Sequence, residues 1–225
     1  MKILCTICAR GGSKEVKNKN IIKINNIPLI THTLRQAIKS NVFDAITVST
    51  DSIRIKKIIG DKYSWFFRPK KLSNDKSSKL DAIRHTFLKS EKKYSCKFDY
   101  IVDLDVTAPL RSVNDIKQSI KDFIRSKNEN MFSVSPAKKN PYFNMVEIKK
   151  KRVKLVKKSF FNSRQDAPLV YDMNASIYIW KRRSLLKNKS LFNKKTSVFV
   201  MPVEKSFDID SQIDLKIVKF LMKKK

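Results

Sequence analysis

Glycine is nearly missing from this chain: three residues in 225, two of them adjacent at Gly11 and Gly12. Histidine is scarcer, with His32 and His85 alone, each inside an amphipathic helical pattern and read as structural. The three cysteines are an odd number and give no disulfide framework. Cys5 and Cys8 form a CxxC, but inside a strand-like run, where residues three apart face opposite ways and cannot share a metal. No run of about 18 apolar residues occurs, which argues against a membrane-spanning helix. The opening MKILCTICARGG has one lysine and too short an apolar stretch for a signal peptide, so a cytoplasmic protein is expected. Acidic residues are also few, 20 against 50 Lys and Arg, for a net charge of +30. These cations are spread over the whole chain in a Lys-, Asn- and Ile-rich vocabulary. That spread points to compositional bias rather than a dedicated nucleic-acid face. A diffuse positive surface still attracts anions such as a nucleoside triphosphate.

What is present is a regular alternation of strand-like and helical patterns. Strands are expected at 2–8, 44–50, 99–105, 131–135, 175–180 and 197–203. Helices are expected at 29–40, 52–60 and 78–90, again around Ile116, Ile120, Phe123 and Ile124, and after Asp210 with Ile213, Ile217, Phe220 and Leu221 on one face. In the third helix Leu80, Ile83, Phe87 and Leu88 are expected inward. This is an α/β fold, a mainly parallel Rossmann-like sheet with helices on both faces. Residues 136–170 break the alternation, with a very basic hairpin at 147–158. The chain therefore reads as one domain, 1–225, with a small β-rich insertion serving as a dimerisation, lid or sugar-side element.

Two segments carry chemistry. ARGGSKEVKNKN (9–20) follows the first strand, at the carboxyl edge where open α/β sheets bind ligands. Its glycines permit close approach of backbone to phosphate, and Arg10, Ser13, Lys14, Lys17 and Lys19 surround them with a hydroxyl and cations. The spacing fits neither GxxxxGK[ST] nor GxGxxG. A solvated turn is the plain alternative. In SFDIDSQIDL (206–215), Asp208 and Asp210 are two apart on an extended segment and so face one way, a site for a hard divalent cation such as Mg²⁺. The alternative is that Asp210 caps the last helix.

The loop ARGGSKEVKNKN resembles that of the acylneuraminate cytidylyltransferases, the CMP-sialic acid synthetase family. The resemblance extends through FRPKKLSNDKSSKLD (67–81), DLDVTAPLR (103–111), NPYFNMVE (140–147), RQDAPLVYDMNASIYIW (164–180) and the DID of Asp208–Asp210. The DVT and YDMNASIY forms are nearest to the branch acting on legionaminic or related sialic-acid-like sugars. The resemblance implies that Arg10, Gly11, Gly12, Ser13, Lys19 and Asn20 hold the nucleotide, with Arg68, Ser78 and Lys79 beside them. It also implies that Asp208 and Asp210 hold Mg²⁺, with Arg10 and Lys19 acting with them in catalysis. On the sugar side it implies Asp105, Tyr142, Arg164, Gln165, Tyr171 and Asn174. Arg164 is the cation for the sugar's carboxylate. Plain alternatives are that Ser77 or Ser78 only caps a helix, and that Tyr142 and Phe143 pack the hairpin or a subunit contact. Glu15 stands where the family usually has glycine, so it either points away from the phosphates or impairs activity.

The expected reaction is attack of an acidic keto-sugar's anomeric hydroxyl on the α-phosphate of CTP, releasing pyrophosphate. Asp105, a metal-bound water or the substrate itself could take the proton. The resemblance implies a homodimer. Rival readings are a CMP-Kdo-type synthetase, a basic nucleic-acid-binding protein, and a nucleotide-binding but inactive paralogue.

Overall fold

The computed structural model describes residues 1–13, 15–74 and 77–223. Lys14, one of the cations expected around the glycine loop, lies outside the described residues. Among the described residues eleven strands and six α-helices follow one another, beginning with β1 (Ile3–Cys8), a small hairpin β2 (Lys23–Ile24) and β3 (Ile27–Pro28), and α1 (Leu29–Ser40). Next come β4 (Ala45–Thr50), α2 (Ile53–Ile59), β5 (Ser64–Phe67), α3 (Lys79–Tyr94), β6 (Tyr100–Leu104), α4 (Val113–Arg125) and β7 (Asn130–Pro136). The chain ends with β8 (Val146–Lys149), β9 (Arg152–Leu155), β10 (Tyr171–Lys181), α5 (Arg182–Lys187), β11 (Thr196–Val200) and α6 (Gln212–Lys223).

Seven strands form one sheet in the order β11-β7-β10-β6-β1-β4-β5. β1, β4, β5 and β6 run parallel, and β10 runs antiparallel between β6 and β7. Strand periodicity divides the buried side chains into two layers. Ile3, Cys5 and Ile7 point to the face covered by α1, α2, α4 and α6. Leu4 points to the face covered by α3 and α5, and Cys8 packs against that second layer. The two cysteines of the CxxC therefore face opposite sides and stay free thiols.

Helix ends follow local chemistry. Ser112 and Asp115 form a capping box at the start of α4. Asn41 and Ser95 close α1 and α3 in the left-handed conformation that small polar residues tolerate. Two helical faces differ from expectation. On α3, Leu88 is exposed rather than inward. On α6 the inward residues are Leu215 and Val218, with Leu221 and Met222 packed beside them, whereas Ile213 and Phe220 are exposed. That helix carries apolar residues on more than one stripe, and its docking against β1's layer selects the stripe at Leu215 and Val218. The sequence pattern also missed β5, the β2–β3 hairpin, α5 and the first four residues of β10.

Between β7 and β10 the chain leaves the sheet, and Ala137 N–H donates to Val170 O at the neck of this excursion. Within it β8 and β9 pair only with each other in the ladder. Val146, Ile148, Val153 and Leu155 fall on one face of the hairpin, and Glu147, Lys149, Arg152 and Lys154 on the other.

Candidate active site

Parallel strands β1, β4 and β6 present their carboxyl ends to one side, and the loops leaving them build a cavity of about 310 Å³. Its walls are Arg10, Gly12, Ser13, Lys19 and Asn20 from the first loop, and Arg68, Ser78 and Lys79 from the approach to α3. Asp105 and Thr107 follow from β6, and Asp208 and Asp210 from the segment before α6. Residues nearly two hundred positions apart thus meet in one space.

The first loop is shaped by one contact with Asp51 and by contacts within itself. Gly11 N–H donates to Asp51 at 2.7 Å. A Cβ on Gly11 would stand 2.8 Å from the Cβ of Ser52, so the loop can lie against β4's end only with glycine there. Nothing lies within 4 Å of a Cβ on Gly12, whose surroundings are the cavity itself. Ser13 donates its hydroxyl to Val16 O at 2.5 Å and accepts Lys19 N–H at 3.2 Å, closing a turn that carries Lys19 back over the cavity. Buried Asn20 donates to Arg10 O at 2.8 Å. Glu15 is exposed and is not part of the cavity lining.

Lys19 reaches Asp210 at 2.7 Å. Ile209 is fully buried, and its N–H donates to Thr107 O at 2.9 Å. That anchor leaves Asp208 and Asp210, one residue to either side, on the cavity wall. Burial first, and then the charge of Asp210, push the Asp208 carboxyl up to about 6. The helix-capping alternative for Asp210 fails. Ser211 accepts Asp214 N–H at 3.3 Å, and Asp214 accepts Ser211 N–H at 2.7 Å, so the cap of α6 is Ser211 with Asp214 in return. Asp210's side chain is left for Lys19 and for whatever enters the cavity.

On the opposite wall Arg68 is buried and donates twice to Ser49, to its hydroxyl at 3.2 Å and its carbonyl at 3.1 Å. Ser78 does cap α3, accepting Leu80 N–H at 3.1 Å, and it also lines the cavity. Lys79 extends to Asp105 at 2.6 Å and to Asp103 at 3.3 Å. Burial opposes Lys79's charge, but the two carboxylates outweigh it and raise its proton affinity. Burial would also raise Asp105; Lys79 and the two donors of Thr107, each at 3.0 Å, instead hold it at about 2. Cys8, also on the wall, is pushed up to about 12 by burial and by Asp103, and remains an unreactive thiol.

Of the expected sugar-side residues Asp105 lines the cavity, and the others are placed differently. Asn174 is buried in a bulge of β10, where it accepts Ser133's hydroxyl at 2.6 Å and donates to Met201 Sδ at 3.5 Å. Its neighbour Ala175, at φ 52°, reaches the cavity instead. Tyr142, Arg164, Gln165 and Tyr171 belong to the excursion and its return, outside the cavity lining. Tyr142 packs edge-to-face on Phe161 and lies under Lys157. Arg164 donates to Ala137 O at 3.3 Å. The structure also adds residues that pattern reading passed over. Thr107 follows Asp105 by two and orients it, and Asp51 holds Gly11; a serine, threonine or aspartate just beyond a strand's carboxyl end was the available signal.

The sequence matches a family profile described as Cytidylyltransferase over residues 4–225. The "post-translational flagellin modification protein B" of Campylobacter coli is 47% identical, over 100% of this chain and 96% of its own length. The CMP-N,N'-diacetyllegionaminic acid synthase of Campylobacter jejuni is 48% identical, over 98% of this chain and 95% of its own. Among solved structures, a CMP-2-keto-3-deoxy-manno-octonic acid synthetase in complex with CTP superposes with a TM-score of 0.73 at 15% identity, covering 100% of this chain and 99% of its own. The last is a likeness of fold; the profile and the relatives extend through the glycine loop, the β6 end and the Asp208–Asp210 segment alike. With a nucleotide-sized, cation-lined cavity assembled from those same segments, the chain belongs to the cytidylyltransferase family of nucleotidyltransferases.

Proposed function

We propose that this protein condenses CTP with a nine-carbon, sialic-acid-like keto-sugar acid of the legionaminic type, giving the CMP-sugar and pyrophosphate in the cytoplasm. The observation that carries the reading is the Lys19–Asp210 contact at 2.7 Å. It joins the glycine loop and the paired aspartates, the two most informative motifs of the sequence, across one cavity. The relatives' names support the choice of acceptor.

The sugar's anomeric oxygen forms a bond to the α-phosphorus as its proton passes to water, while the bond from that phosphorus to the bridging oxygen breaks and its electron pair leaves on pyrophosphate. Positioning and charge neutralisation carry most of such a reaction. Arg10, Ser13, Lys19 and the backbone at Gly11 and Gly12 hold the polyphosphate and offset charge on departing pyrophosphate. Arg68, Ser78 and Asn20 line the nucleoside's part of the cavity. Asp105 accepts hydroxyl hydrogen bonds from the sugar; held at about 2, it is a poor acceptor for the attacking hydroxyl's proton. Tyr142, Arg164, Gln165 and Tyr171 belong to the acceptor side, reached only from the excursion.

The donor set fits Mg²⁺. Asp208 and Asp210 are hard oxygen ligands on one wall, one residue to either side of buried Ile209. Among the described residues no cluster of three or more His, Cys, Asp or Glu exists, so Asp208 and Asp210 are the two protein ligands that would hold the ion. Bound by these two carboxylates, the ion would supply Lewis acidity and a template for the phosphates.

Residues 1–225 form a single domain in this reading, with the excursion as an insertion whose apolar hairpin face meets a second copy in a homodimer. Ile148, Val153 and Val146 are 71%, 64% and 58% exposed on that face.

The deciding measurement is pyrophosphate release with Mg²⁺ and CTP against N-acetylneuraminic, legionaminic and pseudaminic acids and Kdo. Release with a nine-carbon acid and CTP, absent with ATP or GTP, is expected. Release only with Kdo, or equal use of ATP, would replace the acceptor or the nucleotide in this reading.

A further inference from the structure

Lys79 is held on several sides, and one of the groups that hold it has no role so far. Its ammonium lies 2.6 Å from Asp105, 3.3 Å from Asp103 and 4.3 Å over the ring of Tyr178. Asp105 stands at the cavity wall. Asp103, two residues earlier on the same face of β6, is fully buried. Its other oxygen accepts the hydroxyl of Thr6, itself buried on β1, at 2.7 Å. A carboxylate sealed from solvent is costly to keep unless it is paired. Here the charged partner is Lys79, which reaches it from the rim. A lysine has a long, flexible stem, and one contact at its exposed side would leave the ammonium free to swing along the cavity. Two carboxylates at different depths, with an aromatic face beneath, remove that freedom.

We propose that Asp103 is a positioning residue for nucleotidyl transfer. It holds the Lys79 ammonium from the buried side, against Asp105, on the wall of the cavity that receives the nucleotide. The inference rests on the reading of this cavity as the CTP site. Asp103 touches no substrate and acts only through Lys79. A loosely held ammonium still meets bound CTP, but it has to be ordered while charge develops, so the loss falls on turnover rather than on binding. Burial raises the proton affinity of Asp103 and Lys79 opposes that rise, in keeping with two groups that depend on each other.

The test is a double-mutant cycle on pyrophosphate release with Asp103→Asn, Lys79→Ala and the pair. Asparagine keeps the size of Asp103 and can still accept from Thr6. Asp103→Asn is expected to lower kcat about tenfold or more while KM for CTP moves less than about threefold. In the Lys79→Ala background the same change is expected to cost less than about twofold. Equal losses in both backgrounds, or wild-type kinetics for Asp103→Asn, would overturn the proposal. Wild-type kinetics for Lys79→Ala would instead overturn the CTP reading of the cavity, so the two failures are distinct. Circular dichroism and thermal melting check the fold of each variant. If Asp103→Asn does not fold, Thr6→Val goes through the same cycle; it removes the 2.7 Å anchor of Asp103 and leaves its charge. The same coupling to Lys79 with a smaller loss is expected, and independence from Lys79 refutes the role.

Discussion

At the scale of single residues, the cavity wall carries two ion pairs that a ligand can share or displace, Lys19–Asp210 and Lys79–Asp105. Asp210 has no structural duty once Ser211 caps α6, which makes it a clean site to probe. Asp210→Ala should fold as the parent does and lose about 100-fold or more in kcat at saturating Mg²⁺, a typical cost for a group that organises transition-state charge. Pyrophosphate release and a melting curve together check this, and unchanged turnover would take the residue out of the site. Asp105 gives a pH signature. Its carboxyl is held at about 2 against an ordinary 3.8, so the folded state binds the proton less readily than the unfolded chain does. The stabilisation is therefore complete above about pH 4 and is lost as the pH falls toward 2. A shift of that size corresponds to roughly 2 kcal/mol. Asp105→Asn should lower the melting temperature at pH 7, and the gap to the parent should close between pH 4 and pH 2. A gap that stays constant with pH would show that packing, not charge, sets the difference. Buried Asp103 has its proton affinity raised, so its contribution has the opposite sign and is lost as pH rises.

At the scale of elements, helix starts place the chemistry. α3 begins at Lys79 with Ser78 as its cap, so one residue ends the cavity loop and the next sends its ammonium under the sheet. α6 begins with the Ser211–Asp214 box, which fixes the chain just after Asp210. Ser211→Ala should cost about 1 kcal/mol of stability and also raise the Mg²⁺ requirement, because the aspartate beside it loses its register. Thermal unfolding and a Mg²⁺ titration of activity separate the two effects. A stability loss with an unchanged Mg²⁺ curve would show that Ile209 alone sets the aspartates. The bulge in β10 has a comparable part: it turns Asn174 into the sheet and brings Ala175 to the cavity.

At the scale of the whole molecule, the excursion between β7 and β10 leaves several large apolar side chains exposed, among them Ile148, Val153 and Val146. Its hairpin has a charged face and an apolar face, and the apolar one is exposed. Ile148→Glu combined with Val153→Glu should shift the protein to a monomer in sedimentation analysis, with the sheet core unaffected. A monomeric parent would remove the dimer from the proposed function. The net charge of +30 comes from cations spread along the whole chain, and it acts as a general attraction for anions that weakens with salt. Among the described residues no helix is long and apolar enough to cross a membrane.

The sequence by itself determined the alternation of strands and helices, because burial against a two-sided parallel sheet leaves period-two and period-3.6 patterns that can be read directly. It also determined which loops carry chemistry. Glycine is so rare here that Gly11–Gly12 stands out, and Asp208 and Asp210 flank an apolar Ile209. Whether Asp210 caps a helix or faces the cavity was undecided in sequence, and only the contact with Lys19 and the cap at Ser211 settled it. The side chain of Asn174, expected at the sugar, turns inward because of a register shift that no local pattern records. The inward stripe of α6 depended on which side the sheet offered. Asp103 and Lys79 are adjacent only because β6 and the start of α3 meet at the carboxyl edge of the sheet. Pairings of this kind, between segments far apart in the chain, depend on where the backbone brings charges together, and the linear order of residues does not specify that.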